Sequence, residues 1–308
     1  MKSKDDHLKK FRSISEIHKA FGMPKPQHPL MSLTHFNPEN PFNPDHAIIY
    51  DVLEFYKITF VTRHSGRMKY GQGYYDFDEG SMLFLAPNQI VGTSERSDDK
   101  GASSYVLMVH PDFLMGYPLA KKITEYGYFS YSVNEALHVS DEEKETIISV
   151  FRIMEQELKN RVDEFSQEVI IAQIELLLSY ANRFYKRQFV TRKAVNNDLL
   201  QKMEALLDGY FKSEQALRDG LPTVQYLSAQ LHMTPGYLSD MLRSLIGTNA
   251  QQYIHDKLIA KAKEKLSTTD LSVGEIAYEL GFGHSQSFSK LFKNKTNLSP
   301  LEFRSSFN

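Results

Sequence analysis

The sequence contains no cysteine and no tryptophan among its 308 residues. The absence of cysteine excludes disulfide bonds, thiolate metal sites and a cysteine nucleophile. The sequence also has no apolar run long enough to cross a bilayer, and residues 1–7 lack the apolar core of a signal peptide. These absences predict a cytoplasmic protein with no membrane partner.

Neither sign of charge is in large excess, since 36 Lys and Arg residues are balanced by 38 Asp and Glu, for a net charge of −2 at pH 7. A nonspecific nucleic-acid binder is far more basic, so the sequence predicts modest nonspecific affinity for DNA with a shallow salt dependence. Positive charge is nevertheless clustered near the C-terminus. Lys257, Lys261 and Lys265 recur every four residues, which predicts a solvated helix face. A second lysine cluster lies at positions 290, 293 and 295.

The last hundred residues contain the same pattern twice. The first copy is Leu227-Ser228-x-x-Leu231-x-Met233-x-x-x-Tyr237-Leu238-x-x-x-Leu242, and the second is Ile276-Ala277-x-x-Leu280-Gly281-Phe282-x-x-x-Ser287-Phe288-x-x-x-Phe292. Aligning them requires one extra residue in the turn of the second copy. Each copy predicts a helix-turn-helix unit, at about 223–246 and 273–296. Two such units place two recognition helices in successive major grooves of DNA.

Capping chemistry predicts where these helices begin and end. Ser272 precedes Glu275 by three residues, which is the spacing of a capping box. Thr234 before Pro235 predicts the start of the second helix of the first copy, and Gly281 supplies the positive φ of the second turn. A long helix between the copies is predicted from an apolar residue every four positions: Ile254, Leu258, Ala262 and Leu266.

The second copy and the residues after it form a longer motif, Glu275-Ile276-Ala277-x-x-Leu280-Gly281-Phe282-x-x-x-Ser287-Phe288-Ser289-Lys290-x-Phe292-Lys293 followed by Ser299-Pro300-x-x-Phe303-Arg304. This motif resembles the signature of the AraC/XylS family of bacterial transcription regulators. The resemblance is specific over residues 197–308, where it implies a seven-helix DNA-binding domain. Asn297 replaces the usual glycine, which the fold tolerates because asparagine adopts the left-handed conformation. Ser228 replaces the usual alanine, and this change does not threaten the fold either.

The resemblance also implies which side chains face the bases. In the first recognition helix they are Gly236, Ser239 and Asp240, with Arg243 setting the register. In the second they are Ser285, Gln286 and Lys290, with Ser289 and Lys293 nearby. Gln286 can pair with adenine and Lys290 with guanine, so the second helix is expected to perform most of the direct base readout.

Upstream, residues from about 30 to 110 contain short β-branched and aromatic runs separated by glycine-rich turns, which predicts a small antiparallel barrel or sandwich. The segment from Tyr75 to Pro87 is similar to the cupin-like sensor domains of the same family. A pocket for an anionic or polyol ligand is predicted from Tyr56, Arg63, His64, Arg67 and Tyr74. An alternative interpretation fits equally well, in which these arginines lie on the protein surface and these tyrosines lie in the core.

Because many cupins are metal enzymes, catalysis is an alternative. The sequence contains no His-x-His pair, and His64 lies between Arg63 and Arg67, a poor position for a cation. The sequence therefore predicts no metal, no cofactor and no enzymatic activity. A metal-independent cupin enzyme with a regulator-like tail, or a ligand-independent regulator whose N-terminal domain binds proteins, remains an alternative.

Two helices are predicted after the barrel, at 141–159 and about 162–187, the first opened by the Ser140/Glu143 capping spacing. In related regulators such a helical pair forms the dimer, although packing on the protein's own barrel is the other reading. Predicted boundaries are a sensor at 1–140, a dimerisation segment at 141–189, a linker at 190–196 and a DNA-binding domain at 197–308.

The predicted fold class is therefore α+β, with an N-terminal cupin-like antiparallel β-barrel, a helical segment and a C-terminal all-α bipartite helix-turn-helix domain. The predicted function is an effector-responsive, sequence-specific transcription regulator. Its expected partners are double-stranded DNA, a small-molecule effector, a second copy of the chain and RNA polymerase. Its expected location is the cytoplasm, at the bacterial nucleoid.

Overall fold

The computed structural model describes residues 8–40, 50–63, 67–70, 73–76, 80–91, 103–132, 135–159, 165–191, 193–213 and 215–306. Contacts between residues divide the chain into two units, Met1–Gln188 and Phe189–Asn308.

The first unit is built on β-strands. Their bounds are β1 Leu8–Phe11, β2 Met31–Phe36, β3 Tyr50–Leu53, β4 Tyr56–Arg63, β5 Arg67–Tyr70, β6 Gly73–Asp76, β7 Ser81–Leu85, β8 Ile90–Val91, β9 Ser103–Val109 and β10 Leu137–His138. Five of them form an antiparallel sheet in the order β10-β7-β4-β9-β2. This confirms the predicted N-terminal β-rich domain.

The remaining strands pair outside that sheet. β1 runs parallel to β3, which also pairs with β8, and β5 forms a hairpin with β6. Within the described residues the strands do not close into a barrel. The short helix α1, Ile14–Ala20, and β1 were not predicted from the sequence, although Ser13 and Glu16 form a complete capping box at the start of α1.

The five-stranded sheet has a different neighbour on each face. On one face, Met108 and Val106 of β9 join a buried cluster with Phe11 and Ile14. On the other, Phe60 and Tyr105 are cross-strand neighbours whose rings both stack on Phe151, at centroid distances of 6.2 and 5.0 Å. Because side chains alternate along a strand, the sheet is packed on both faces.

Helices follow the sheet. They are α2 Leu119–Lys122, α3 Asp141–Lys159 and α4 Ser166–Thr191, with short 3₁₀ helices at Pro111–Leu114, Ile123–Glu125 and Gly127–Ser130. The predicted capping box opens α3, because the Ser140 amide donates to Glu143 at 2.9 Å. The buried face of α4 lies on its own domain, where Tyr185 contacts Phe84 and the Leu178 carbonyl accepts from Tyr128.

Helix also occupies much of the segment 190–196, the predicted linker. α4 continues to Thr191, and α5, Lys193–Lys212, begins two residues later. The segment lacks apolar periodicity, but lysine and alanine, which begin α5, favour helix on their own. The predicted domain boundaries stay predictions.

The second unit is helical. After α5 come α6 Gln215–Asp219, α7 Val224–Gln230, α8 Pro235–Ile246, α9 Ala250–Thr268, α10 Val273–Glu279, α11 Ser285–Thr296 and α12 Pro300–Ser305. Counted from α5 over its described residues, this unit has eight helices, one more than the resemblance implies. The four apolar residues predicted to form the inner face of α9 are all buried: Ile254, Leu258, Ala262 and Leu266.

The two copies of the repeat fold alike. α7 and α10 have seven residues each, and α8 and α11 have twelve. Four residues separate the helices of the first copy (231–234) and five those of the second (280–284), which confirms the predicted extra residue. Each copy is therefore a short helix, a turn and a longer helix.

Each turn is a Schellman motif built on a left-handed residue. In the first copy the Met233 amide donates to the Ser228 carbonyl at 2.9 Å around His232, whose φ is +55°. In the second the Phe282 amide donates to Ala277, also at 2.9 Å, around Gly281 with φ +91°. The positive φ predicted for Gly281 is confirmed, and the first copy reaches the same conformation with a non-glycine residue.

Candidate nucleic-acid interface

Helix α11 presents a polar face to solvent. Gln286, Lys290 and Lys293 are exposed, and their spacing of four and three residues places them on one side of the helix. The opposite side is fixed in the core by Phe288 and Phe292, both fully buried. Burial of two phenylalanines thus sets which face of α11 is available to a partner.

The start of α11 differs from that of α8. Thr234 accepts the Tyr237 amide and caps α8, whereas His284, at the same position before α11, makes no side-chain capping bond. The first amides of a helix lack partners within the helix and attract anions such as phosphate. Ser289 does not add a free donor, because its hydroxyl donates to the Ser285 carbonyl at 3.0 Å.

Ion pairs decide where positive charge is available. Each lysine of the predicted solvated stripe on α9 is paired with a carboxylate: Lys257 with Glu204 at 2.6 Å, Lys261 with Glu264 at 2.7 Å and Lys265 with Glu279 at 2.6 Å. Lys295 pairs with Asp256 at 2.8 Å. The three lysines are partly exposed, at 36%, 23% and 23%, and two of their pairs join α9 to α5 and α10.

Two lysines of α11 differ from the ion-paired lysines of α9. In the part of the chain that the structure describes, Lys290 and Lys293 form no ion pair within 4 Å and are exposed. Unpaired positive charge on the polar face of α11 is what contact with a polyanion requires.

Helix α8 presents fewer side chains that could contact DNA than α11 does. Asp240 forms an ion pair with Arg243 one turn later on the same helix, and Arg243 is 55% exposed. Gly236 has no side chain, and Ser239 is half-buried. The pair partly neutralises Asp240 and also occupies the arginine expected to set the register on DNA.

Of the residues predicted to line the sensor pocket, Tyr56 and Arg63 have described side chains, and the pocket itself stays a prediction. Tyr56 is a core residue, 8% exposed, with its ring against Phe129 at 5.2 Å, and burial raises its pKa. Arg63 is exposed at the end of β4. Arg67 and Tyr74 belong to the β5–β6 hairpin, and His64 lies outside the described residues.

A different site in this domain is a small tyrosine-lined cavity. Its volume is about 10 Å³, and Phe84, Tyr128, Tyr131 and Tyr185 line it. This space holds about one water molecule. Among the described residues no group of three His, Cys, Asp or Glu side chains is arranged to hold a metal ion.

Two connected helix-turn-helix units, one with an exposed lysine-bearing second helix, define a bipartite DNA-binding module following a β-rich domain. Family models match both parts: a helix-turn-helix domain over residues 227–306, and an AraC-like ligand binding domain over residues 43–173. By these two matches the chain resembles AraC-type transcription regulators, which join such a ligand binding domain to a helix-turn-helix domain.

Curated relatives agree with this assignment. The chain is 30% identical over 140 residues to the HTH-type transcriptional activator RhaS of Salmonella newport (strain SL254), covering 45% of each chain. It is 29% identical over 148 residues to RhaS of Salmonella schwarzengrund (strain CVM19633), covering 48% of this chain and 51% of that protein. The chain thus spans about half the length of the curated relatives it matches.

Among solved structures, the C-terminal domain of the two-component response regulator yesN from Fusobacterium nucleatum is 29% identical, covering 35% of this chain and 98% of that one with a TM-score of 0.31. The DNA-binding domain of AdpA, solved with a target DNA, is 23% identical over 35% of this chain and 91% of that one, also with a TM-score of 0.31. Within the described residues, no helix is both long and apolar enough to span a membrane.

Proposed function

We propose that this protein is a sequence-specific DNA-binding transcription regulator controlled by its N-terminal domain. The observation that carries the proposal is the exposed face of α11, on which Gln286, Lys290 and Lys293 are held outward by two buried phenylalanines. The duplicated turn geometry supplies a second helix, α8, of the same length.

In this proposal the two recognition helices have unequal roles. Gln286 pairs with adenine and Lys290 donates to guanine, while the first amides of α11 and Lys293 contact phosphates. The side chains of α8 that can contact DNA are Ser239 and the paired Asp240 and Arg243. In this proposal α8 therefore positions the protein on DNA more than it reads the base sequence. Each protein molecule covers two DNA segments, called boxes here, about one helical turn or 10 base pairs apart.

Selection of bound fragments from random DNA by the full-length protein tests this function. At two salt concentrations, we expect enrichment of a motif with two boxes, the stronger of which is read by α11. Retention without sequence preference that disappears at moderate salt would refute the proposal, because it reports only phosphate attraction. A Gln286→Ala variant should lose preference at one base position, and Gln251→Ala, an exposed glutamine on α9, is the matched control.

The homodimer is a further part of the proposal, and an exposed stripe on α4 supports it. Phe165 is 61% exposed just before the helix, Val169 is 38% exposed and Leu176 is 42% exposed. With exposed Ala172 and Ser179 the stripe follows alternating steps of four and three residues, the spacing of a coiled-coil seam.

Charge along the same helix favours an antiparallel pair. Exposed Glu168 lies near the start of α4, and exposed Arg183 and Lys186 lie near its end. An antiparallel partner places the acidic end of one helix beside the basic end of the other. Leu176→Asp should therefore reduce the dimer fraction in sedimentation equilibrium, while Met115→Asp, at a 68% exposed position elsewhere in the same unit, should not. An unchanged dimer in Leu176→Asp would exclude this seam.

Control of DNA binding is proposed to work by linkage. The match of residues 43–173 to an AraC-like ligand binding domain supports a small-molecule effector. An effector that prefers one arrangement of the dimer shifts the population able to hold both boxes. RNA polymerase is the proposed partner once DNA is bound, the proposed location is the cytoplasm, and no enzymatic step is part of the proposal.

A further inference from the structure

One tyrosine of α5 lies beside the first helix-turn-helix unit and the segment that precedes it. Tyr210 is 3% exposed, and its ring packs edge-on against Tyr226 of α7 with centroids 5.0 Å apart. Its hydroxyl donates to the Gly220 carbonyl oxygen at 3.0 Å. Tyr210 therefore contacts the first helix of the first unit and also the segment that leads into that helix.

The segment before α7 contacts the second helix-turn-helix unit directly. It runs from Gly220 to Thr223, where the Thr223 hydroxyl caps α7 by accepting the Tyr226 amide. The Gly220–Leu221 peptide lies against Gly281 in the turn between α10 and α11. A β-carbon on Gly281 would be 2.5 Å from the Gly220 oxygen and 2.9 Å from the Leu221 nitrogen. The two helix-turn-helix units are thus in contact through backbone atoms, in addition to their covalent connection through α9.

This contact can fix the separation of the units only if the segment is itself held in place. Among the described side chains, Tyr210 is the one that donates to the Gly220 carbonyl. Without that donor a partly buried carbonyl lacks a partner, and the segment relieves this by moving toward water. Such a movement changes the position of Thr223 and the start of α7 relative to the Gly281 turn.

We propose that Tyr210 is a positioning residue that fixes the distance between the two recognition helices and thereby sets the spacing between DNA boxes that the protein accepts. This inference rests on the proposed DNA-binding function. Tyr210 itself touches no DNA in this proposal. It acts through Gly220, on the side of the units that faces α5.

The test uses the full chain with Tyr210→Phe, which removes only the hydroxyl, and Tyr226→Phe as the matched control. Within the described residues the Tyr226 hydroxyl has no hydrogen-bond partner. Affinity is measured for two-box DNA with spacings from about 9 to 12 base pairs and for a single-box DNA. The wild type should prefer one spacing, and in Tyr210→Phe the ratio between the best and adjacent spacings should fall by about threefold to tenfold.

Single-box affinity should stay at the wild-type value in both variants, and Tyr226→Phe should keep the wild-type spacing preference. If Tyr210→Phe loses affinity equally for every probe, the residue only stabilises the fold and the inference is overturned. An unchanged spacing preference in that variant overturns it as well. Absence of sequence-selective binding by the wild type refutes the proposed function instead, so the two failures are distinguishable.

Discussion

Replacing Gly281 with alanine should destabilise the C-terminal unit more than any single surface change. Two costs add at this position. An L-residue in the left-handed region costs about 1–2 kcal/mol. The new β-carbon would also lie 2.5 Å from the Gly220 oxygen, a backbone atom that cannot rotate away. Overpacking of this kind costs about 1–3 kcal/mol, so the expected total is roughly 2–5 kcal/mol.

Gly247 provides the matched control. It ends α8 with φ +76°, but a β-carbon there meets no atom within 4 Å. Gly247→Ala therefore measures the backbone strain alone. Urea unfolding of the full chain followed by circular dichroism suits the measurement, because the chain has no tryptophan to report fluorescence. Equal destabilisation of the two variants would refute the reasoning, since it would mean that the Gly220 contact yields at no cost.

DNA affinity provides a second measurement of the Gly281→Ala substitution. The turn at Gly281 aims α11, so relief of the clash must move either α11 or the Gly220 segment. Two-box DNA affinity should fall for Gly281→Ala at a temperature where the variant is still folded. Gly247→Ala should lower it less.

Three further predictions concern the same unit. His232 adopts φ +55° at the position that Gly281 holds in the second copy, so His232→Gly should raise stability by about 1 kcal/mol in urea unfolding; a loss of stability would contradict this. Lys290→Ala should weaken specific more than nonspecific DNA binding, and Lys295→Ala, which removes a lysine already paired with Asp256, should do less; equal losses from specific and nonspecific DNA would make Lys290 a phosphate contact. Glu275 accepts the Ser272 amide, which lowers its pKa below that of an ordinary glutamate, so its stabilising effect is complete above the pKa of the unfolded state and is lost as pH falls through the lowered pKa. Glu275→Gln should then show a smaller loss of stability between neutral and acid pH than the wild type, and parallel pH curves would exclude this role.

Features set by short stretches of sequence were predicted well. The capping boxes at Ser140 and Ser272 and the extra residue of the second turn depend on neighbours within a few positions. The capping box that starts α1 was overlooked, although Ser13 and Glu16 have the same spacing. Local chemistry was sufficient in each case.

Features that join distant segments were not predictable. The partner of Lys257 is 53 residues away and that of Lys295 is 39 residues away, and no local pattern points to either carboxylate. Tyr56 lies on a strand whose two faces are both packed, so alternation could not show whether it lined a pocket or the core. The positive φ of Gly281 was predictable, whereas its contact with Gly220 was not.

The pairing of the α9 lysines bears on how many copies of such a regulator a cell needs. A protein that releases few counterions on random DNA spends little time bound to the bulk of a genome. The many competing sites of a chromosome then sequester a smaller share of its molecules. Under the proposed function, lysines held by carboxylates within the fold would leave more of the protein free to find its operator, so that fewer molecules per cell would be needed to keep that operator occupied.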